Sequence, residues 1–161
     1  MKSAIIYYSY SGNTRKVAET LSEYLRPDGE VDMIGLECLD ESSTFVGQCM
    51  RAFKYTKGSI APVNFDLSGY DLLLFGTPVW AFGPAPAMNT YLDKCSGVKG
   101  KDTILFATYG SGAGKGRCVD HMQRVLAGKG AGGFRRFFVQ QDQADNKELI
   151  RSFVGKSRKD A

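Results

Sequence analysis

Six residues near the start of the chain, Ser9-Tyr10-Ser11-Gly12-Asn13-Thr14, offer hydrogen-bond donors at almost every position. Ser9, Ser11, Asn13 and Thr14 bring side-chain donors, and Gly12 lets the backbone turn sharply and point its N–H groups inward. An apolar run, Ser3-Ala4-Ile5-Ile6-Tyr7-Tyr8, leads into them, and a helical pattern follows. A strand-to-helix joint adds the unpaired N–H groups and the positive dipole end of the new helix. Such a joint suits a phosphate group. No charged residue stands between Lys2 and Arg15, so neutral dipoles would do most of the holding.

Two later stretches have equally unusual compositions. Gly76-Thr77-Pro78-Val79-Trp80-Ala81-Phe82-Gly83-Pro84-Ala85-Pro86 holds the only Trp, a second aromatic and three of the five prolines. Exposed aromatics in a loop call for a cover, and a flat aromatic ligand would provide one by stacking. The prolines stiffen the loop and reduce the ordering cost of binding. Thr108-Tyr109-Gly110-Ser111-Gly112-Ala113-Gly114-Lys115-Gly116 has glycine at every second position from Gly110, which allows close backbone approach to a ligand. It is not a Walker loop, because Tyr109 stands where that motif needs its first Gly.

The first stretch resembles the phosphate loop of flavodoxins and related flavin mononucleotide (FMN) proteins, which reads S/T-x-S/T-G-N-T. The stretch around Thr77, Pro78 and Trp80 resembles their G-T-P-x-W region, which borders the isoalloxazine ring. The Thr108–Gly112 stretch is similar to the loop that wraps the pyrimidine side of the flavin, with Tyr109 against the ring. The resemblance implies FMN held without a covalent bond by Ser9–Thr14, Thr77–Gly83 and Thr108–Gly112, with no catalytic side chain and no metal.

The rest of the chain must position these three loops. Apolar runs at about 3–9, 30–35, 72–75, 104–107 and 133–139 alternate with helical patterns at about 13–26, 41–57, 85–96, 116–127 and around 149–154. In the 41–57 pattern Phe45, Cys49, Ala52 and Phe53 share a side. Alternation of this kind implies a parallel sheet covered on both faces, a three-layer α/β architecture. The first, third and fourth runs are nearly all apolar and read as central strands. Asp32 in the second, and Arg135 with Arg136 in the fifth, mark those two as edges. Edges at the second and fifth strands give the doubly wound order 2-1-3-4-5, flavodoxin-like, with its switch point between strands one and three. The loops after strands one, three and four then converge there. A response-regulator receiver shares this order but needs acids after the first strand, where Tyr8-Ser9-Tyr10 supplies none. No insertion interrupts the fifth strand, so the short-chain form is expected, as one domain over 1–161.

With 161 residues, 43% of them hydrophobic, the chain can bury a sizeable core. No apolar run approaches the roughly 20 residues of a membrane span, and the start reads as a strand rather than a signal peptide, which points to the cytoplasm. Cys38, Cys49, Cys95 and Cys118 fit no metal spacing and read as free thiols partly buried on helices. His121, the only histidine, lies in a helical pattern with no nucleophile beside it. The net charge of +4 is scattered, with clusters at Arg51, Lys54 and Lys57 and at Arg151, Lys156, Arg158 and Lys159, and no nucleic-acid motif accompanies it.

These features lead to an FMN-binding electron carrier whose partner is a redox protein or a small-molecule acceptor. The alternative on the same scaffold is an NAD(P)H-dependent FMN reductase of quinones or similar acceptors. Flavodoxins are usually acidic, and a basic chain would dock poorly on the positive patches that acidic carriers use. Lys115 and Arg117 are the only charged residues in Thr77–Leu92 and Thr108–Val119, so a reduced, anionic flavin would meet positive charge there.

Overall fold

Three runs of the chain are buried almost end to end, and they form the centre of the sheet. In the computed structural model, which describes residues 1–41, 44, 47, 50 and 57–155, these are β1 (Lys2–Tyr7), β3 (Leu72–Pro78) and β4 (Asp102–Tyr109). β2 (Glu30–Gly35) and β5 (Gly132–Gln140) flank them, and both alternate between covered and open positions. All neighbours pair in parallel, in the order β2-β1-β3-β4-β5 expected from the sequence. The edge charges are paired at the surface: Asp32 with Lys2 at 3.5 Å and Arg136 with Asp120.

The helices are α1 (Asn13–Leu25), α2 (Pro86–Lys94), α3 (Lys115–Gly128) and α4 (Lys147–Gly155). Strand residues alternate between two cores. Ile5, Leu74, Ile104 and Phe106 meet Val17, Leu21 and Leu25 of α1 and Ile150 and Val154 of α4. Ile6, Leu73, Phe75 and Leu105 meet Met88, Tyr91 and Leu92 of α2 and Val119, Met122 and Leu126 of α3. Each such side chain contributes about 1.5–3 kcal/mol when fully buried, so the two faces lock the strand order. Gly76 is required in β3: a Cβ there would lie 2.1 Å from the ring of Phe106, its register partner on β4.

The helix expected over 41–57, with Phe45, Cys49, Ala52 and Phe53, falls largely outside the described residues, as do Arg51, Lys54, Lys156, Arg158 and Lys159. Cys95 and Cys118 are buried free thiols at the end of α2 and in α3. Cys38 departs from the helical expectation, because it forms an isolated bridge with Ile60 beyond β2. Gly128-Lys129-Gly130-Ala131-Gly132-Gly133 spells G-x-G-x-x-G, yet it joins the end of α3 to β5. A dinucleotide fingerprint runs from strand to helix, so this string lacks the helix N-terminus that such binding uses.

Candidate functional site

The carboxyl ends of β1, β3 and β4 open into a cavity of about 520 Å³. Its walls include Tyr10, Ser11, Asn13 and Thr14 after β1, Pro78–Ala81 after β3, and Thr108–Ala113 after β4. The volume lies within the usual range for small-molecule sites, at the switch point where open α/β sheets bind ligands.

One wall is the joint between β1 and α1. Gly12, the residue before α1, has φ 96°, a left-handed conformation that glycine adopts without strain. The first N–H groups of α1 have no intrahelical acceptor. Among them, that of Arg15 donates to Ser9 Oγ at 3.2 Å, so the Ser9 hydroxyl caps the helix from below. Asn13 Nδ2 donates to Ser11 Oγ at 3.3 Å. Thr14 is 1% exposed and its hydroxyl meets that of Thr108 at 2.8 Å, which ties the first turn of α1 to the end of β4. Nothing along this wall is charged until Arg15, which pairs with Glu19.

The second wall follows β3. Trp80 was expected as an exposed aromatic; it is only 5% exposed. Tyr8 and Tyr10 meet it edge-on, with ring centroids 5.7 and 5.4 Å away and both interplanar angles 82°. The Tyr8 hydroxyl donates to Glu41 Oε1, and burial, with this bond second, pushes its pKa well above the ordinary value. Trp80 therefore closes the core and lines the cavity at once. Tyr10, 48% exposed, stands at the cavity mouth.

Trp80 and Gly83 exchange both backbone bonds, at 3.0 and 2.9 Å, around a two-residue turn. The central residues Ala81 and Phe82 have φ 44° and 69°. Turns of this kind normally take Asn and Gly, and a bulky residue there is strained. Phe82 is held in place by its ring, which lies against Gly114: a Cβ on Gly114 would come within 1.8 Å of Phe82 Cδ1. The loops after β3 and β4 thus lock together beside the cavity.

The third wall is the glycine-rich loop. Lys115 Nζ stands 4.3 Å from the centroid of the Tyr109 ring and 5.3 Å from that of Phe138, a doubly cation–π contact. It brings one positive charge behind a wall of the cavity.

Of the residues singled out in the sequence, Tyr10, Ser11, Asn13, Thr14, Pro78–Ala81 and Thr108–Gly112 line the cavity. Ser9, Gly12, Thr77, Phe82 and Gly83 stand outside its lining. Ser9 caps α1, and the Thr77 hydroxyl accepts from Ala85 N at 3.0 Å and donates to Pro78 O, which anchors the Trp80 loop from within. Ala113 and Gln141 line the cavity as well and carry no motif. Gln141 follows β5, whose carboxyl end lies at the same end of the sheet as that of β4. Among the described residues, no cluster of three His, Cys, Asp or Glu side chains could hold a metal ion, and no helix is long and apolar enough to cross a membrane.

The model of a family described as NADPH-dependent FMN reductase matches residues 1–144. Among solved structures, a flavoprotein in complex with FMN from Lactobacillus acidophilus superposes with a TM-score of 0.64 at 22% identity, over 91% of this chain and 98% of that one. Flavodoxin 1 from Bacillus cereus gives 0.64 at 20% identity, over 96% and 98%. The azoreductase AzrA gives 0.60 at 15% identity, over 99% and 98%. At these identities the likeness is one of fold, and the fold is flavodoxin-like.

Proposed function

Since this chain belongs to the NADPH-dependent FMN reductase family, we propose that it is an FMN oxidoreductase that draws its electrons from NADPH and passes them to a small acceptor such as a quinone. The observation that carries the reading is the cavity itself, with a neutral donor wall at one end and aromatic walls at the other. The donor set suits a phosphate: helix N–H groups, the Ser11 hydroxyl and the buried Thr14–Thr108 pair, with no acid among them to repel it. Trp80 and Tyr109 offer apolar faces for a flat ring. FMN, once bound, supplies the hydride and electron chemistry. The chain's own part is to grip the phosphate, set the ring against Trp80 and Tyr109, and exclude water from one side.

The expectation of a pure carrier finds no support in a family described by its reductase activity. The charge around the site also favours the enzyme. Lys115 and Arg117 are the only charged residues in Thr77–Leu92 and Thr108–Val119, and positive charge attracts a phosphate-bearing nicotinamide donor. Steady-state oxidation of NADPH by the FMN-loaded protein, with a soluble quinone as acceptor, tests the proposal. Turnover well above that of the same concentration of free FMN is expected. A rate no faster than free FMN, with electrons accepted only from another protein, would return the carrier reading.

A further inference from the structure

The buried hydroxyls of Thr14 and Thr108 come from different walls of the cavity and meet at 2.8 Å. Thr14 is 1% exposed and Thr108 is 3% exposed. Two hydroxyls carry two hydrogens, and the bond between them uses one. The second has no protein acceptor among the described residues. Each oxygen already has the other as a partner, and the remaining hydrogen is free to donate to an acceptor in the cavity beside the start of α1.

Resting on the FMN reading above, we infer that Thr108 is a positioning residue for the FMN phosphate and acts through Thr14. Thr108 Oγ1 donates to Thr14 Oγ1, and the Thr14 hydrogen is thereby directed at a phosphate oxygen. The direction follows from placement. Thr14 is in the first turn of α1, at the positive end of the helix dipole, where an anion is favoured. Thr108 lies on β4, with its carbonyl already accepting from Val79 N at 2.8 Å. A hydroxyl that donates to an anion becomes a better acceptor, so the two bonds strengthen each other. The pair also ties the phosphate end to both α1 and β4.

The test is a set of dissociation constants for FMN and riboflavin, followed by flavin fluorescence, with flavin-free protein of each variant checked by thermal unfolding. The unaltered protein should prefer FMN. Thr14→Val should weaken FMN by about 100-fold and Thr108→Val by roughly tenfold, with riboflavin changed by no more than about threefold in either. The double variant should be no worse than Thr14→Val alone, and Thr108→Ser should return most of the lost preference. Equal loss of FMN and riboflavin in Thr108→Val would reduce Thr108 to a packing role and overturn the inference. So would multiplicative losses in the double variant, or a larger loss from Thr108→Val than from Thr14→Val. Equal affinity of the unaltered protein for FMN and riboflavin is a different failure, since it removes the phosphate from this loop altogether and the inference with it.

Discussion

Gly114→Ala should unlock the two loops that flank the cavity, and its cost can be separated into parts. Gly114 has φ 75°, so any side chain there pays for a left-handed backbone, about 1–2 kcal/mol. The new Cβ would also lie 1.8, 2.5 and 2.7 Å from Cδ1, Cγ and Cβ of Phe82. A change of χ1 moves the first two atoms but leaves the third, so the Ala81–Phe82 turn itself must move. Overpacking of this kind adds roughly 1–3 kcal/mol.

Gly112→Ala is the internal control. Its φ is 82°, but a Cβ there meets only Tyr109, at 3.4 Å, an ordinary contact. It should lose the backbone cost alone, about 1–2 kcal/mol, against about 2–5 kcal/mol for Gly114→Ala. For a chain of this size each kcal/mol lowers Tm by roughly 2–4 °C. Urea unfolding of the flavin-free protein gives the difference directly. In a Phe82→Gly background, which removes Phe82 Cβ as well as the ring, the extra cost of Gly114→Ala should vanish, leaving the two glycine substitutions equal. Equal costs in the unaltered background, or a difference that survives Phe82→Gly, would show that Phe82 and Gly114 do not lock the loops.

Trp80 is the only Trp, so its emission reports on the cavity wall without ambiguity. FMN added to the flavin-free protein should quench it strongly, and unchanged emission would place the ring elsewhere. Trp80→Ala should cost about 3–5 kcal/mol of stability as well as flavin affinity, because the indole is also core, and a urea titration measures the first apart from the second. His121, the only histidine, has its pKa held below the ordinary value by burial and, secondarily, by Arg124. A depressed histidine is neutral in the folded state at a pH where the unfolded chain already binds a proton. Stability should therefore fall as pH drops below about 6.5, and His121→Gln should flatten that fall in a Tm series from pH 7.5 to 5. An unchanged slope would show that other groups carry it.

The sheet was legible because burial dictates it residue by residue. A central parallel strand must be apolar on both faces, and Ile5-Ile6, Leu72–Phe75 and Ile104–Ala107 meet that demand. Asp32 and Arg136 cannot be buried unpaired, and each lies on an edge strand with an opposite charge in reach. The strand order follows from these few residues without any motif. The loops obey a weaker rule. Composition marks them as binding loops, yet the direction of each side chain depends on backbone angles that composition does not encode. Thr77 and Trp80 belong to one stretch, and the first turns inward to hold Ala85 N while the second faces both core and cavity. Phe82 leaves the cavity lining because Ala81 and Phe82 both adopt left-handed angles that neither residue type favours.

The sequence speaks less still to the difference between a carrier and a reductase, for a different reason. When a cofactor performs the electron chemistry, the protein needs no acid–base side chain at a telling spacing. What separates the two roles is the charge and shape of the rim that meets the donor. Here the stretches Thr77–Leu92 and Thr108–Val119 carry no acid. Lys115 stands behind Tyr109, and the strained Ala81–Phe82 turn fixes the opposite loop against Gly114. Strain persists only where the surroundings over-determine it, and here the over-determining contact joins the two loops that carry Trp80 and Tyr109. A rim held in one geometry costs less to order when a small donor such as a nicotinamide arrives. On the proposed reductase reading, that is a use for the strain.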